Sequence, residues 1–209
     1  MRPDWYQDWS GDVAAVVASG SSVRQYDVDL LRGKCRVAVV NNSWELAPWA
    51  DVLYAADRNW WEEYHGRASA VFGGQMVSPD APVAKRLGLR LVGLLPESTE
   101  HVGKISLEPG VLGRGGNSGF QCLNLVVQLG ARRVILLGFD FCGDHWHGEH
   151  KSPLRNPQQC TMAKWASRLD AASSQLRDLG VDVVLCSGPS LLNEYRRSTV
   201  PTVMGEWFS

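Results

Sequence analysis

The sequence lacks several features that would by themselves indicate a class of function. No apolar run approaches the roughly 20 residues of a membrane-spanning helix, and the stretch "MRPDWYQDWSGD" at the N-terminus has no apolar signal core. The formal net charge is −1, so no basic excess indicates binding to nucleic acid by counterion release. We therefore expect a cytoplasmic protein with no membrane span and no nucleic-acid partner.

The most specific cofactor motifs are also missing. The Gly/Ser turn in "VVASGSSV" is not followed by Gly-Lys-Ser/Thr, and the chain contains no GxGxxG and no HExxH. The cysteines are scattered without a CxxC pair, which is typical of reduced, mostly buried thiols: Cys35, Cys122, Cys142, Cys160 and Cys186. Fold and function must therefore be inferred from periodicity and from the positions of polar residues.

Short β-branched runs alternate with helical segments along the chain. The predicted strands cover 12–19, 35–42, 51–57, 69–74, 89–95, 131–140 and 181–187. Most are apolar on both faces, as strands covered by helices on both sides are. The predicted helices cover 58–68, 118–130, about 158–179 and 189–196. This alternation predicts one α/β domain over residues 1–209, with a Rossmann-like, doubly wound, mostly parallel sheet and helices on both faces.

Two loops and the tryptophans complete the predicted organisation. Region 95–117 is rich in Gly, Pro and polar residues, which indicates a loop and a candidate mobile lid, and a histidine-rich loop covers 143–150. The chain has nine tryptophans, and each is expected to pack in the interior. Exposed tryptophan on a chain of this size would favour a homodimer.

Small, amide and hydroxyl residues follow the predicted strands. They are Ser19, Gly20, Ser21 and Ser22 after the first strand, Asn41, Asn42 and Ser43 after the second, Asp57 after the third, Asp140 after "VILLG", and "SGPSLLNEY" (187–195) after the last. Ligands of open parallel sheets bind beyond the carboxyl ends of the strands. The sequence therefore predicts a polar pocket at this edge of the sheet.

Two glycine-containing segments, one before a predicted helix and one after the first predicted strand, are suited to bind phosphate. In "GRGGNSG" (113–119), Ser118 or Asn117 caps the following helix, whose free N–H groups and dipole favour an anion. In "VVASGSSV", Gly20 allows the backbone to approach a phosphate closely. Each segment also has an interpretation without a ligand. "GRGGNSG" could be only a flexible entry to a capped helix, and "VVASGSSV" could contain only an ordinary tight turn.

The segment "GDHWHGEH" contains three of the five histidines, His145, His147 and His150. With Asp140 or Asp144 they could bind zinc or manganese, and a solvated polar loop is a further alternative. No recognised metal motif is completed, so we assign no metal ligand. We prefer a histidine that transfers a proton at a ligand pocket.

Several stretches together resemble a known family. "SGFQCLNLVVQLGARRVILLGFDF", "HWHGEH" and "VDVVLCSGPSLL" occur in the order found in the bacterial lipooligosaccharide sialyltransferases. "VVASGSSV" and "VVNNSW" lie where those enzymes bind the nucleotide. "NNSWELAPWADVLYAADRNWW" is similar to phage and prophage proteins of the wider superfamily, which includes archaeal 6-hydroxymethylpterin pyrophosphokinases. The resemblance implies a sialyltransferase-like fold and a nucleotide site.

The resemblance also implies roles for individual residues. Ser19, Gly20 and Ser22 would line a nucleoside phosphate, with Asn41 or Asn42 nearby. Ser118 and Gly119 would offer N–H groups to the diphosphate, and Ser187, Gly188 and Ser190 would hold the base or ribose. His150 matches the base that takes the proton of the acceptor hydroxyl, with His145 and Asp140 as further candidate catalytic residues. The reaction implied is transfer from a nucleotide or nucleotide-sugar to a hydroxyl acceptor, without a cofactor.

Two alternatives follow from the wider superfamily. A pyrophosphokinase would use ATP and Mg²⁺, with Asp57, Asp140 and Asp144 as the natural ligands. A non-catalytic phage accessory protein would keep the fold with its pocket blocked by the Trp-rich N-terminus or by the tail "PTVMGEWFS".

Overall fold

One sheet of eight strands organises the molecule, and every neighbouring pair in it is parallel. The computed structural model describes residues 2–208. Its strands are β1 (Val13–Val17), β2 (Arg36–Val40), β3 (Val52–Tyr54), β4 (Gln75–Ser78), β5 (Arg90–Leu91), β6 (Gly93–Leu94), β7 (Val111–Leu112), β8 (Arg133–Leu137), β9 (Asp182–Leu185) and β10 (Arg196–Arg197). The sheet order is β10-β9-β8-β1-β2-β3-β4-β5, while β6 and β7 form a separate parallel pair. The α/β class and the parallel sheet are therefore confirmed.

Within residues 2–208, six α-helices connect these strands and a seventh follows the last strand: α1 (Gln25–Asp29), α2 (Arg58–Ser69), α3 (Ala81–Leu87), α4 (Ser118–Leu129), α5 (Gln159–Ala171), α6 (Ser173–Asp178) and α7 (Val200–Trp207). Short 3₁₀ helices lie at Asn41–Glu45 and Thr99–His101. Across residues 2–208, none of the helices combines the length and apolar character needed to cross a bilayer.

The central strands β1, β3 and β8 are buried on both faces because they are apolar at nearly every position. In β1, Ala14 and Val16 belong to the core formed with α4, α5 and α6. Val13, Ala15 and Val17 belong to the opposite core, formed with α1, α2, α3 and α7. Successive strand side chains point to opposite faces, so one apolar strand supplies both cores. This is the layered arrangement that the sequence pattern predicts.

Helix α4 lies at the centre of one face, over β1 and β2. Ten of its twelve residues are buried, and the buried polar residues among them are amides with partners. Asn124 Oδ1 accepts from the N–H groups of Ser106 (2.8 Å) and Gly113 (2.6 Å), and its Nδ2 donates to Ser106 O (2.9 Å). Gln128 binds the same segment through Gly110 N and three carbonyl groups. Much of the candidate lid is thus fixed to α4.

Two element predictions are wrong, and three helices were not predicted. Residues 69–74 were expected to be a strand, but α2 continues to Ser69, Phe72 packs into the core, and the strand begins only at Gln75. Segment 189–196 was expected to be a helix, but it is irregular up to Arg196, where β10 begins to pair with β9. The helices that were missed are α1, α3 and α7, although Asp80 caps α3 and Thr199 caps α7 by accepting from backbone N–H groups.

Burial of cysteine differs from expectation, whereas every tryptophan among residues 2–208 is buried or half-buried. All five cysteines are free thiols, but only Cys122 is fully buried and Cys160 is exposed. A homodimer was suggested on the ground of exposed tryptophan. No tryptophan among residues 2–208 is exposed, so this ground is absent.

Candidate functional site

A cleft of about 710 Å³ opens at the carboxyl end of the sheet. It lies beside β1 and β8, the neighbouring strands from which the chain order runs in opposite directions. Such a switch point leaves a crevice, because the connections after the two strands go to opposite faces. The turns after β1 and β8 both line the cleft, as do the start of α4 and parts of segment 154–165. The pocket is where the sequence analysis expects it.

Of the predicted site residues, seven line the cleft: Ser19, Gly20, Asn41, Ser118, Gly119, His145 and His150. The other six, Ser22, Asn42, Asp140, Ser187, Gly188 and Ser190, do not line it. Asp57, Asp144, Glu149 and Arg155 add charged groups to the wall. Neither the Trp-rich N-terminus nor the C-terminal helix contributes to the lining, so neither blocks the cleft.

The N-terminus of α4 points hydrogen-bond donors into the cleft. Asn117 is the N-cap, and its Oδ1 accepts from Phe120 N at 2.9 Å. The N–H groups of Ser118 and Gly119 lie in the first turn, where an α-helix offers no acceptor, and no other acceptor for them occurs among residues 2–208. Asn117 Nδ2 is buried and unpartnered as well. Two free backbone donors and the positive end of the helix dipole therefore lie at the cleft, which suits an anion.

Asn41 and Phe141 hold strained backbones beside this donor group. Their φ angles are +50° and +54°, in the left-handed region that side chains rarely adopt. Both residues line the cleft, and Asn41 Oδ1 is buried without a partner in the described chain. Strain and an unused acceptor at one wall are typical of a ligand site.

The side chain of Asp140 holds the turn after β1 in place through hydrogen bonds. Its carboxylate accepts from Ser22 N (2.8 Å) and from Ser22 Oγ (2.6 Å). Burial raises the pKa of Asp140, while these two hydrogen bonds act in the opposite direction. Because Asp140 is 2% exposed and does not line the cleft, it positions the turn and does not reach a ligand there.

The last-strand segment has a similar supporting role. Ser187 Oγ accepts from Phe139 N at 2.9 Å, and Ser190 Oγ donates to Phe139 O at 2.6 Å. Gly188 contacts Ser22, since a Cβ there would lie 2.9 Å from Ser22 Cβ. The structure thus places these three residues behind the turns that line the cleft. Asn42 is likewise occupied, because its Oδ1 accepts from Trp60 Nε1 at 2.7 Å.

The histidine loop is fixed at both ends. Gly20 and His145 form an antiparallel bridge, Trp146 N donates to Ser19 O (3.0 Å), and Trp146 Nε1 donates to Ser43 Oγ (3.3 Å). At the other end, Asn156 Oδ1 accepts from His150 N (2.8 Å) while its Nδ2 donates to His150 O (3.0 Å). These contacts place the loop against the turn after β1.

The three imidazoles of the loop are neutral near pH 7. Burial lowers the pKa of His145, and His150 adds to the shift. Burial and the two neighbouring histidines lower the pKa of His147 to about 4. Burial also lowers the pKa of His150, while Asp57 acts in the opposite direction. Neutral imidazoles have lone pairs that can accept a proton or bind a metal ion.

The aspartates proposed for Mg²⁺ do not come together. Among residues 2–208, the only set of three His, Cys, Asp or Glu side chains with converging ligand atoms is His145, His147 and His150. Asp57 is the N-cap of α2, where its Oδ1 accepts from the N–H groups of Asn59 (2.7 Å) and Trp60 (3.2 Å). Asp140 is held by Ser22 and does not line the cleft, so the three aspartates do not form one ligand set.

Sequence reasoning missed one wall of the cleft. Arg155, Asn156, Gln159, Met162 and Trp165 belong to the segment that precedes α5 and to its first turns. They lie in or just after an irregular stretch, "KSPLRNPQQ" (151–159), that has no periodicity and no motif.

The chain matches no model of a known protein family, and no curated protein matches it significantly.

Proposed function

We propose that the cleft binds a nucleotide or nucleotide-sugar and transfers a group from it to a hydroxyl acceptor. The observation that carries the proposal is the start of α4, where Ser118 and Gly119 line the cleft and their N–H groups have no acceptor among residues 2–208. Donors of this kind bind phosphate oxygens at little cost in reorganisation. We include in the proposal the sialyltransferase-like type of Rossmann-like fold, with which the parallel sheet is compatible.

The opposite wall of the cleft would hold the acceptor. His145 and His150 line it, and each is a neutral imidazole near pH 7. An imidazole lone pair would take the proton of the acceptor hydroxyl as its oxygen attacks, while the donor-rich start of α4 steadies the leaving phosphate. The bond to the leaving phosphate breaks as the bond to the acceptor oxygen forms.

A volume of about 710 Å³ is within the range of small-ligand sites. Trp165 lines the cleft and is half-buried, and an indole face is suited to stack on a base or a sugar. The open cleft favours a binding role over the accessory protein, whose pocket we expected to be blocked.

The test is a thermal-shift screen of CMP, CDP, UDP, GDP and ATP, each with and without Mg²⁺. A ligand that binds only the folded state raises the melting midpoint as its concentration rises above its Kd. We expect a shift by one nucleotide without metal, which is lost in Ser118→Trp and kept in Ser69→Trp. Ser69 is exposed at the end of α2 and far from the lining, so this control adds the same indole without obstructing the cleft.

Two other outcomes would overturn the proposal. A shift that requires ATP and Mg²⁺ together would indicate pyrophosphate transfer instead. No shift with any nucleotide would contradict a nucleotide site and leave the accessory protein as the better account.

A further inference from the structure

The histidine loop brings three imidazoles to one point. The ligand nitrogens of His145, His147 and His150 all lie within 4.8 Å of one another. The ring centroids are 4.8 to 5.0 Å apart for the three pairs. On a tetrahedral ion at a metal–nitrogen distance of about 2.0 Å, ligand nitrogens are about 3.3 Å apart. Small rotations of the side chains would therefore close the set around an ion.

Two nitrogens of this cluster are buried and have no partner. His147 Nε2 and His150 Nδ1 neither reach solvent nor form a hydrogen bond within residues 2–208. A buried polar atom without a partner costs about 1–3 kcal/mol, and such atoms are rare in native proteins. An ion bound through these atoms would give both nitrogens a partner.

The backbone of the cluster is already positioned. His145 is bridged to Gly20, and His150 is clamped by both ends of the Asn156 amide. The turn between them is closed by Gly148 N, which donates to His145 O at 3.0 Å. Ligands held by their surroundings lose little entropy when they bind an ion.

We propose that His145, His147 and His150 bind one Zn²⁺ ion, or a transition-metal ion with the same preference for imidazole. Three protein ligands leave a fourth position, as in zinc sites that bind water or substrate. His145 and His150 line the cleft, so this position faces the space where the proposed acceptor would lie. The metal site rests on the loop alone and does not depend on the proposed transfer reaction.

Metal binding would change how the acceptor is activated. A nitrogen that binds the ion has no lone pair for a proton, so the ion and the imidazole base are alternatives. With the ion bound, the acceptor oxygen would occupy the fourth position, where its pKa falls and its proton passes to solvent. The transfer itself would break and form the same bonds as in the metal-free protein.

The test measures metal content directly. The protein is purified with chelator, incubated with Zn²⁺, dialysed against metal-free buffer and analysed by mass spectrometry of the metal. We expect one Zn²⁺ per chain in the wild type and in His65→Gln, which removes an imidazole on α2 outside the cluster. We expect a stoichiometry near zero in His145→Ala, His147→Ala and His150→Ala.

A cobalt spectrum distinguishes the cluster from the free thiols. Co²⁺ bound by imidazoles absorbs in the visible range without the near-ultraviolet charge-transfer band of a thiolate. Cys142 also lines the cleft, so Cys142→Ser should keep the spectrum. If a histidine-to-alanine variant fails to fold, as judged by circular dichroism of the metal-free protein, the corresponding asparagine variant replaces it.

Absence of bound metal in the wild type would overturn the metal site. Equal binding by the wild type and the histidine variants would overturn it as well, and so would a thiolate band that is lost in Cys142→Ser. Nucleotide binding measured separately is unaffected by these results, so failure of the metal site and failure of the proposed function remain distinguishable.

Discussion

Asp140 accepts two hydrogen bonds from one residue, Ser22, through the backbone N–H at 2.8 Å and the hydroxyl at 2.6 Å. Residues 118 positions apart are thereby joined directly beneath the turn that lines the cleft. Gly20 lies in the same contact, since a Cβ added to it would be 2.5 Å from Asp140 Cγ. The shape of the turn after β1 therefore depends on a carboxylate supplied after β8.

Asp140→Ala and Asp140→Asn should differ in stability. The alanine leaves the Ser22 N–H without a partner in a buried place, which should lower the free energy of unfolding by about 2–3 kcal/mol. The asparagine keeps an oxygen for that N–H and offers its NH₂ group to Ser22 Oγ, so we expect a change within about 1 kcal/mol. Urea unfolding at pH 7 measures both values, and equal losses would contradict the role assigned to the hydrogen bonds.

The same pair predicts a pH dependence. Burial raises the pKa of Asp140 in the folded protein. Its stabilising contribution is therefore complete below the unfolded pKa of about 3.9 and is lost as pH rises through the raised folded pKa. Asp140→Asn has no such titration, so its free energy of unfolding relative to the wild type should increase from pH 4 to pH 8. A flat or falling difference would show that the hydrogen bonds outweigh burial.

Gly20→Ala should destabilise the protein through crowding. Its Cβ would lie 2.5 Å from Asp140 Cγ and 2.6 Å from Gly138 O, and the latter is backbone that cannot easily move. Overpacking of this kind costs about 1–3 kcal/mol. The matched control is Gly66→Ala inside α2, where nothing lies within 4 Å and the change should stabilise by about 0.5–1 kcal/mol. Similar urea midpoints for the two variants would contradict the close approach.

Asn124→Leu should release the segment that the sequence suggests as a lid. The leucine is close in size but leaves the N–H groups of Ser106 and Gly113 without their acceptor. We expect a loss of about 2–4 kcal/mol and faster amide hydrogen exchange in residues 104–113. Gln25→Ala on the exposed face of α1 is the control and should stay within about 0.5 kcal/mol. Unchanged exchange would show that other contacts hold the segment.

Ser118→Pro and Ser118→Ala separate the N–H group from the hydroxyl. Both remove the Oγ that accepts from Ala56 N, and only proline removes the backbone donor. Proline is well tolerated at the first helical position, and Asn117 before it has the extended backbone that proline requires (φ −150°, ψ 159°). We expect the proline variant to bind the nucleotide identified by the screen about tenfold more weakly than the alanine variant. Equal Kd values by calorimetry would exclude a phosphate contact at this N–H.

Periodicity was sufficient for most of the fold because strand burial and helix capping are local properties. The apolar runs around Val16 and Leu136 and the Asn117 cap are visible in the sequence, and the structure has the corresponding elements. Segment 69–74 was wrongly predicted as a strand because Val71 is β-branched and Phe72 is aromatic, and such residues favour strands. The burial of Phe72 in the core just after a helix depends on tertiary contacts, which the local sequence does not show. Helix α7 was missed because Pro201 marks a helix start only when the cap before it is recognised.

The sequence predicted which strand-end residues belong to the candidate site, and it did not predict the contacts between distant segments that hold them. Strand ends locate Ser19 and Asn41, since parallel strands bring their carboxyl ends to one edge, and the glycine-rich segment before α4 locates Ser118. The occupation of Asp140 by Ser22 depends on a pairing between distant segments, which no local pattern encodes. The convergence of His145, His147 and His150 depends on a turn and on the clamp by Asn156, so spacing alone left their role open.

The most direct test of the nucleotide site follows the backbone amides of Ser118 and Gly119 by ¹⁵N NMR during titration with the nucleotide found by the screen. An N–H group that takes a phosphate oxygen as its acceptor changes its chemical shift in proportion to occupancy. We expect these two amides to show the largest saturable changes, with the same Kd as calorimetry, because the amide of Gly20 already donates to Gly138 O. Saturable changes confined to residues outside the cleft, or none at millimolar nucleotide, would contradict it.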